Sequence, residues 1–158
     1  MKKSLIVLLL VALAVFCAVP AFAANAKFHI GIVTGTVSQS EDDLRGAELA
    51  IQKYGDVSKG GMIKHLTYPD NFMSEMETTI AQIAGLADDP KMKVIVVNQA
   101  IPGTAEAFRR VKEKRPDITV ISRARDRVHV FQLYDAGADH IVREAFDSSL
   151  RAGRYVLE

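Results

Sequence analysis

The chain holds one cysteine in 158 residues, Cys17. That excludes an intrachain disulfide and any cysteine-rich zinc site, so stability has to come from packing. An excess of one charge is missing too, with 20 Lys and Arg against 19 Asp and Glu. A near-neutral chain exerts no general pull on nucleic acid or on an anionic membrane. The nucleotide fingerprint G-x-G-x-x-G is absent: Gly31-Ile32-Val33-Thr34-Gly35-Thr36 has the wrong spacing, and Gly31 falls inside a strand pattern. Without those glycines a backbone cannot approach a pyrophosphate in the usual way, so no NAD or other cofactor is expected. His29, His65, His129 and His140 are scattered without metal-ligand spacing. His29 and His65 fall on adjacent strands, but two histidines alone do not hold zinc. There is no G-x-S-x-G elbow, and Asp88-Asp89 ends a helix rather than forming a positioned acid/base couple. Catalysis is not expected.

What is present starts at the N-terminus. Met1-Lys2-Lys3 is basic, Ser4 to Val19 is an almost unbroken apolar run, and Pro20-Ala21-Phe22-Ala23 supplies small residues in an A-x-A arrangement. That order describes a secretory signal peptide over residues 1–23, cleaved after Ala23. The run is too short and too poorly flanked for a comfortable membrane span. Phe16 before Cys17 argues against lipoprotein processing. The expectation is a periplasmic or secreted product with no stable membrane anchor after cleavage. Cleavage removes Cys17, Lys2 and Lys3 and turns the formal charge from +1 to −1. Residues 24–158 are then one domain's worth of chain.

Along that stretch strand and helix signals alternate. Strands are expected over 28–33, 62–67, 94–97, 118–122 and 140–142. The second has weak alternation and reads as nearer an edge. The third, Val94-Ile95-Val96-Val97, is a β-branched run suited to burial on both faces. Helices are expected from a Ser38/Glu41 capping box to Tyr54-Gly55, then over 72–86, 104–114, 128–136 and 148–157. Thr104 is expected to cap the third. Such alternation specifies a three-layer αβα sandwich: a five-stranded, mainly parallel sheet of Rossmann-like or flavodoxin-like order.

Ligands of open parallel sheets sit beyond the carboxyl ends of the strands. Those ends carry Thr34, Gly35 and Thr36, with Ser38 just after; Asp70 and Asn71; Asn98 and Gln99; and Arg123 and Arg125. Their hydroxyls, amides and guanidinium groups suit a small polar molecule. The same residue types also cap helices and decorate solvated loops. Arg123 and Arg125 share a face only if the strand continues, and Asp126 or Glu144 are their expected partners.

Specific motifs add two resemblances. Phe28 to Gln39, Thr67-Tyr68-Pro69-Asp70-Asn71-Phe72, Glu77-Thr78-Thr79-Ile80 and Gln99 to Ala105 resemble the DUF3798 family of exported bacterial proteins over residues 28–118. That family is similar in fold to type I periplasmic solute-binding proteins, which implies one binding-protein lobe. Ser122 to Arg127, Leu133 to Asp139 and Arg143 to Arg154 look like the end of the regulatory domain of Kef-type potassium–proton antiporters. This second resemblance covers 119–158 and implies a cytoplasmic nucleotide- or anion-sensing module of the potassium-transport RCK type. The two imply opposite compartments, so the chain reads as a chimera joined in the fourth strand, of natural or designed origin. The leading expectation is an exported, non-catalytic binding domain. A single lobe offers half a site, and a homodimer would supply the other wall. A regulatory module and a chain without evolved function are the alternatives.

Overall fold

The computed structural model describes residues 26–143, 146, 150 and 153–155. The expected signal peptide lies outside them, as does most of the helix expected over 148–157. The strands are β1 (His29–Thr34), β2 (Ile63–Thr67), β3 (Met92–Val97), β4 (Thr119–Ala124) and β5 (His140–Arg143). The helices between them are α1 (Val37–Tyr54), α2 (Met76–Gly85), α3 (Thr104–Lys114) and α4 (Arg127–Asp135).

The five strands form one sheet in the order β2-β1-β3-β4-β5, and every pairing is parallel. This is the flavodoxin-like order, and β2 is an edge strand. Right-handed crossovers require the connection that steps left from β1 to β2 and those that step right to β3, β4 and β5 to cover opposite faces. The side chains obey. Val33, Ile95, Val97, Val120 and Ala124 pack with Ile80 and Ile83 of α2, Phe108 and Val111 of α3, and Leu133 of α4 into one buried core. On the other face, α1 buries only Ala47 fully, and Ile30, Ile32, Val94, Val96 and Ile121 are half-buried.

Several boundaries differ from expectation. The N-cap of α1 is Thr36, whose N–H donates to Gln39 Oε1 at 3.4 Å. Ser38 lies inside the helix, and its hydroxyl donates to Asp70. A non-helical residue, Ser40 (φ −160°, ψ 85°), then kinks α1. Helix α2 starts at Met76, not Phe72. The Asn71 carbonyl accepts the N–H groups of Ser74 and Glu75 at 2.9 and 3.0 Å, so this stretch is spent on a turn. Gly103, not Thr104, caps α3. Its φ of +92° suits glycine, and an added Cβ would lie 2.8 Å from Met76 Cγ.

Candidate site at the carboxyl edge of the sheet

The loops after β1, β2, β3 and β4 converge at one edge of the sheet, and the ten expected site residues divide into two groups there. The first group bonds to itself. Thr34 is buried and donates to the Gly35 carbonyl at 2.9 Å. A hydroxyl has one hydrogen, so the 2.8 Å contact with His65 Nε2 is a donation from the ring to Thr34 Oγ1. Burial pushes the His65 imidazole below its ordinary pKa, against the pull of Glu48 and Asp56. His29 is engaged elsewhere, 2.6 Å from Asp89. The two histidines therefore do not share a site, and Asp89 is occupied as a structural partner.

Asp70 accepts hydrogen bonds from both Thr36 and Ser38, the latter at 2.8 Å. These hydroxyls hold its carboxyl below the usual carboxylate range. Gln39 Nε2 donates to the carbonyls of Pro69 and Asp70 at 3.2 and 3.0 Å. Together these bonds fasten the β1–α1 loop to the loop after β2. An added Cβ on Gly35 would sit 2.9 Å from the Tyr68 hydroxyl and 3.0 Å from Gln39 Oε1. In nucleotide-binding sheets the phosphates approach the loop after β1; here Tyr68 and Gln39 fill that space. Asn71 serves the turn before α2, and the Asn98 N–H donates to the Val33 carbonyl at 3.0 Å.

The second group opens onto a cleft of about 280 Å³ beyond β3 and β4. Gln99, Arg123 and Arg125 supply its polar groups, while Phe72, Met73, Ile101 and Pro102 supply an apolar wall. Tyr68 anchors it from beneath. Its ring is buried and meets Phe72 edge-on at 5.7 Å between centroids, and its hydroxyl donates to Gln99 Oε1 at 3.0 Å. Burial, then the Asp43 carboxylate, push the Tyr68 phenol above its ordinary pKa, against Arg123. Arg123, the last but one residue of β4, turns toward α1, where its Nη2 lies 3.2 Å from Asp43. Asp43 is thus a partner of Arg123 that the sequence did not point to; Glu144 lies outside the described residues. Arg125 comes after the end of β4 and pairs with Asp126 at 3.4 Å. The two arginines reach one cleft although the strand does not continue between them.

Tyr68, Asp43 and the apolar wall were not among the expected site residues. Asp43 is half-buried against a partner 80 positions away, a separation local pattern does not reveal. Tyr68 carried a usable signal, an aromatic residue right after a strand. No cluster of three or more metal-ligating side chains occurs among the described residues. No helix among them is long and apolar enough to cross a membrane.

Known proteins share parts of this arrangement. An uncharacterized protein of Treponema pallidum (strain Nichols) is 44% identical over 93 residues, 58% of this chain and 42% of its own length. The glutathione-regulated potassium-efflux system protein KefC of Klebsiella pneumoniae is 47% identical over 53 residues, 34% of this chain and 8% of KefC. This chain therefore spans less than half of either relative. The TrkA-N domain of the inner membrane protein ybaL from Escherichia coli has a similar fold, with a TM-score of 0.54 at 17% identity, covering 85% of this chain and all of that domain. The chain thus carries likenesses both to an uncharacterized bacterial protein and to a potassium-efflux protein. The family model described as "Protein of unknown function (DUF3798)" matches residues 28–145, past Ile118 and through β4, α4 and β5, and this chain belongs to that family.

Proposed function

We propose that this chain is an exported, non-catalytic binding domain. In this reading it holds a small polar molecule bearing a carboxylate or phosphate in the cleft beyond β3 and β4. One observation carries the reading: Gln99, Arg123 and Arg125 line the same recess against an apolar wall. Guanidinium groups recognise planar oxyanions through paired N–H donors. With Gln99 Oε1 engaged by Tyr68, the Gln99 amide nitrogen is the donor left for a ligand. The wall of Phe72, Met73, Ile101 and Pro102 suits the carbon skeleton of such a molecule. The cleft borders the place between β1 and β3 where the sheet order reverses, the usual ligand position in this topology. A single lobe gives a half-site and weak affinity.

A thermal-shift screen with carboxylates, amino acids, sugar phosphates, nucleosides, NAD and glutathione tests the binding. A ligand of the native state raises the melting temperature, and Arg125→Ala should abolish the rise. No shift with any member of that panel overturns the reading. Export has its own test. The mature chain should appear in the periplasmic or secreted fraction with Ala24 as its first residue. A chain retained inside the cell with Met1-Lys2-Lys3 intact overturns export.

A second reading, an effector-sensing module of the potassium-transport type, draws on the KefC likeness and the TrkA-N fold. A shift with nucleotide or glutathione alone favours it.

A further inference from the structure

We infer that α4 is the centre of a two-fold interface between two copies of this chain. The core side of α4 is conventional, with Leu133 fully buried. The opposite side is not. Val128, Phe131 and Tyr134 are 67%, 57% and 51% exposed. At 100° per residue they fall within about 60° of a line through Phe131, so they form one outward stripe rather than scattered positions. Arg127 and Asp135 lie on the same stripe, and both are exposed.

The order of these residues names the occupant. Phe131 is the midpoint of the stripe. In an antiparallel pair of α4 helices with the two-fold axis at Phe131, each Val128 faces the partner's Tyr134. Each Arg127 then faces the partner's Asp135. Apolar meets apolar, and opposite charges meet at both ends. An isologous contact demands this kind of self-complementarity, and an unrelated partner would not. Arg127 already stacks over Phe131, with Cζ 5.8 Å from the ring centroid, so the guanidinium lies along the stripe. One short helix buries too little for a tight dimer, so a weak, concentration-dependent association is expected.

Sedimentation velocity on the full chain, over a concentration series reaching hundreds of micromolar, tests this. A reversible monomer–dimer equilibrium is expected. Phe131→Asp should leave a monomer throughout, with the far-UV circular dichroism of the parent. Arg127→Asp and Asp135→Arg should each weaken the dimer roughly tenfold, because the symmetry places two like-charge contacts in every dimer. The double variant R127D/D135R should restore the parent's dissociation constant to within a few-fold. A parent that stays monomeric, a dimer that survives Phe131→Asp, or a double variant as weak as the singles overturns the inference. The double variant separates this arrangement from simple apolar stickiness, which charge exchange would not rescue.

Discussion

Tyr68 and Gln99, on loops that follow two strands separated in the sheet by β1, are joined by a 3.0 Å hydrogen bond from the phenol to the amide oxygen. The bond couples the buried floor beneath the cleft to one of its polar groups. Tyr68→Phe keeps the ring against Phe72 and removes only the donor. A loss of about 1 kcal/mol of stability is expected, the usual net worth of one such bond. Urea unfolding measures it. Ligand affinity should fall as well, because the Gln99 amide loses the partner that orients it.

Arg125 separates binding from folding. Its side chain is 80% exposed, and among the described residues its carboxylate contact is its neighbour Asp126 at 3.4 Å. Arg125→Ala should change unfolding free energy by less than about 0.5 kcal/mol. It should weaken any anionic ligand found by the thermal-shift screen at least tenfold. Calorimetric titration with that ligand reads the second effect.

Acid should weaken the fold through two histidines. Burial lowers the pKa of His65, and burial together with Arg125 lowers that of His129, both from an ordinary 6.5. A lowered histidine pKa means that the unfolded chain binds more protons than the folded one around and below pH 6.5. Their contribution is complete above that pH and is lost as pH falls through the folded values. Denaturant titrations at pH 8, 7, 6 and 5 should show falling stability over the last two steps. His65→Gln should flatten part of that slope.

Gly103 is a backbone requirement. Its φ is +92°, and a methyl group there would meet Met76 Cγ at 2.8 Å and Ile80 Cγ1 at 3.0 Å. Gly103→Ala should cost about 1–2 kcal/mol from the left-handed conformation alone. Steric contact with α2 adds to that. Thermal unfolding of the variant should therefore show a clearly lower midpoint, with the cleft wall at Pro102 disturbed alongside.

The layered fold was legible because its signals are local. Val94 to Val97 is a β-branched run, and β3 contains it. The five alternations survive as five parallel strands. Local pattern failed where distant partners decide. Ser38 read as a capping group and Thr36 as a loop residue, yet both hydroxyls reach Asp70 across more than thirty residues of chain. Phe72 read as the start of a helix, yet its ring is held by Tyr68 and its neighbour Asn71 closes a turn. Arg123 and Arg125 are expected to share a face only if the fourth strand continues past Ser122; β4 ends at Ala124, and the two meet through the cleft instead. Of the ten residues anticipated at the edge, those after β1 and β2, with Asn98 after β3, serve mostly to tie loops together. Gln99, Arg123 and Arg125 line an open recess.

The strand wiring also sets a tempo. Every neighbour in the sheet is parallel, so no two strands can zip from a tight hairpin. Each pairing waits until an intervening crossover has been drawn closed, and the cost of closing those loops comes before any strand contact can offset it. Such a chain is expected to reach its native strand pairings more slowly than a hairpin-rich domain of equal size. Under the export proposed above, slow folding would leave the chain open to threading before it takes shape.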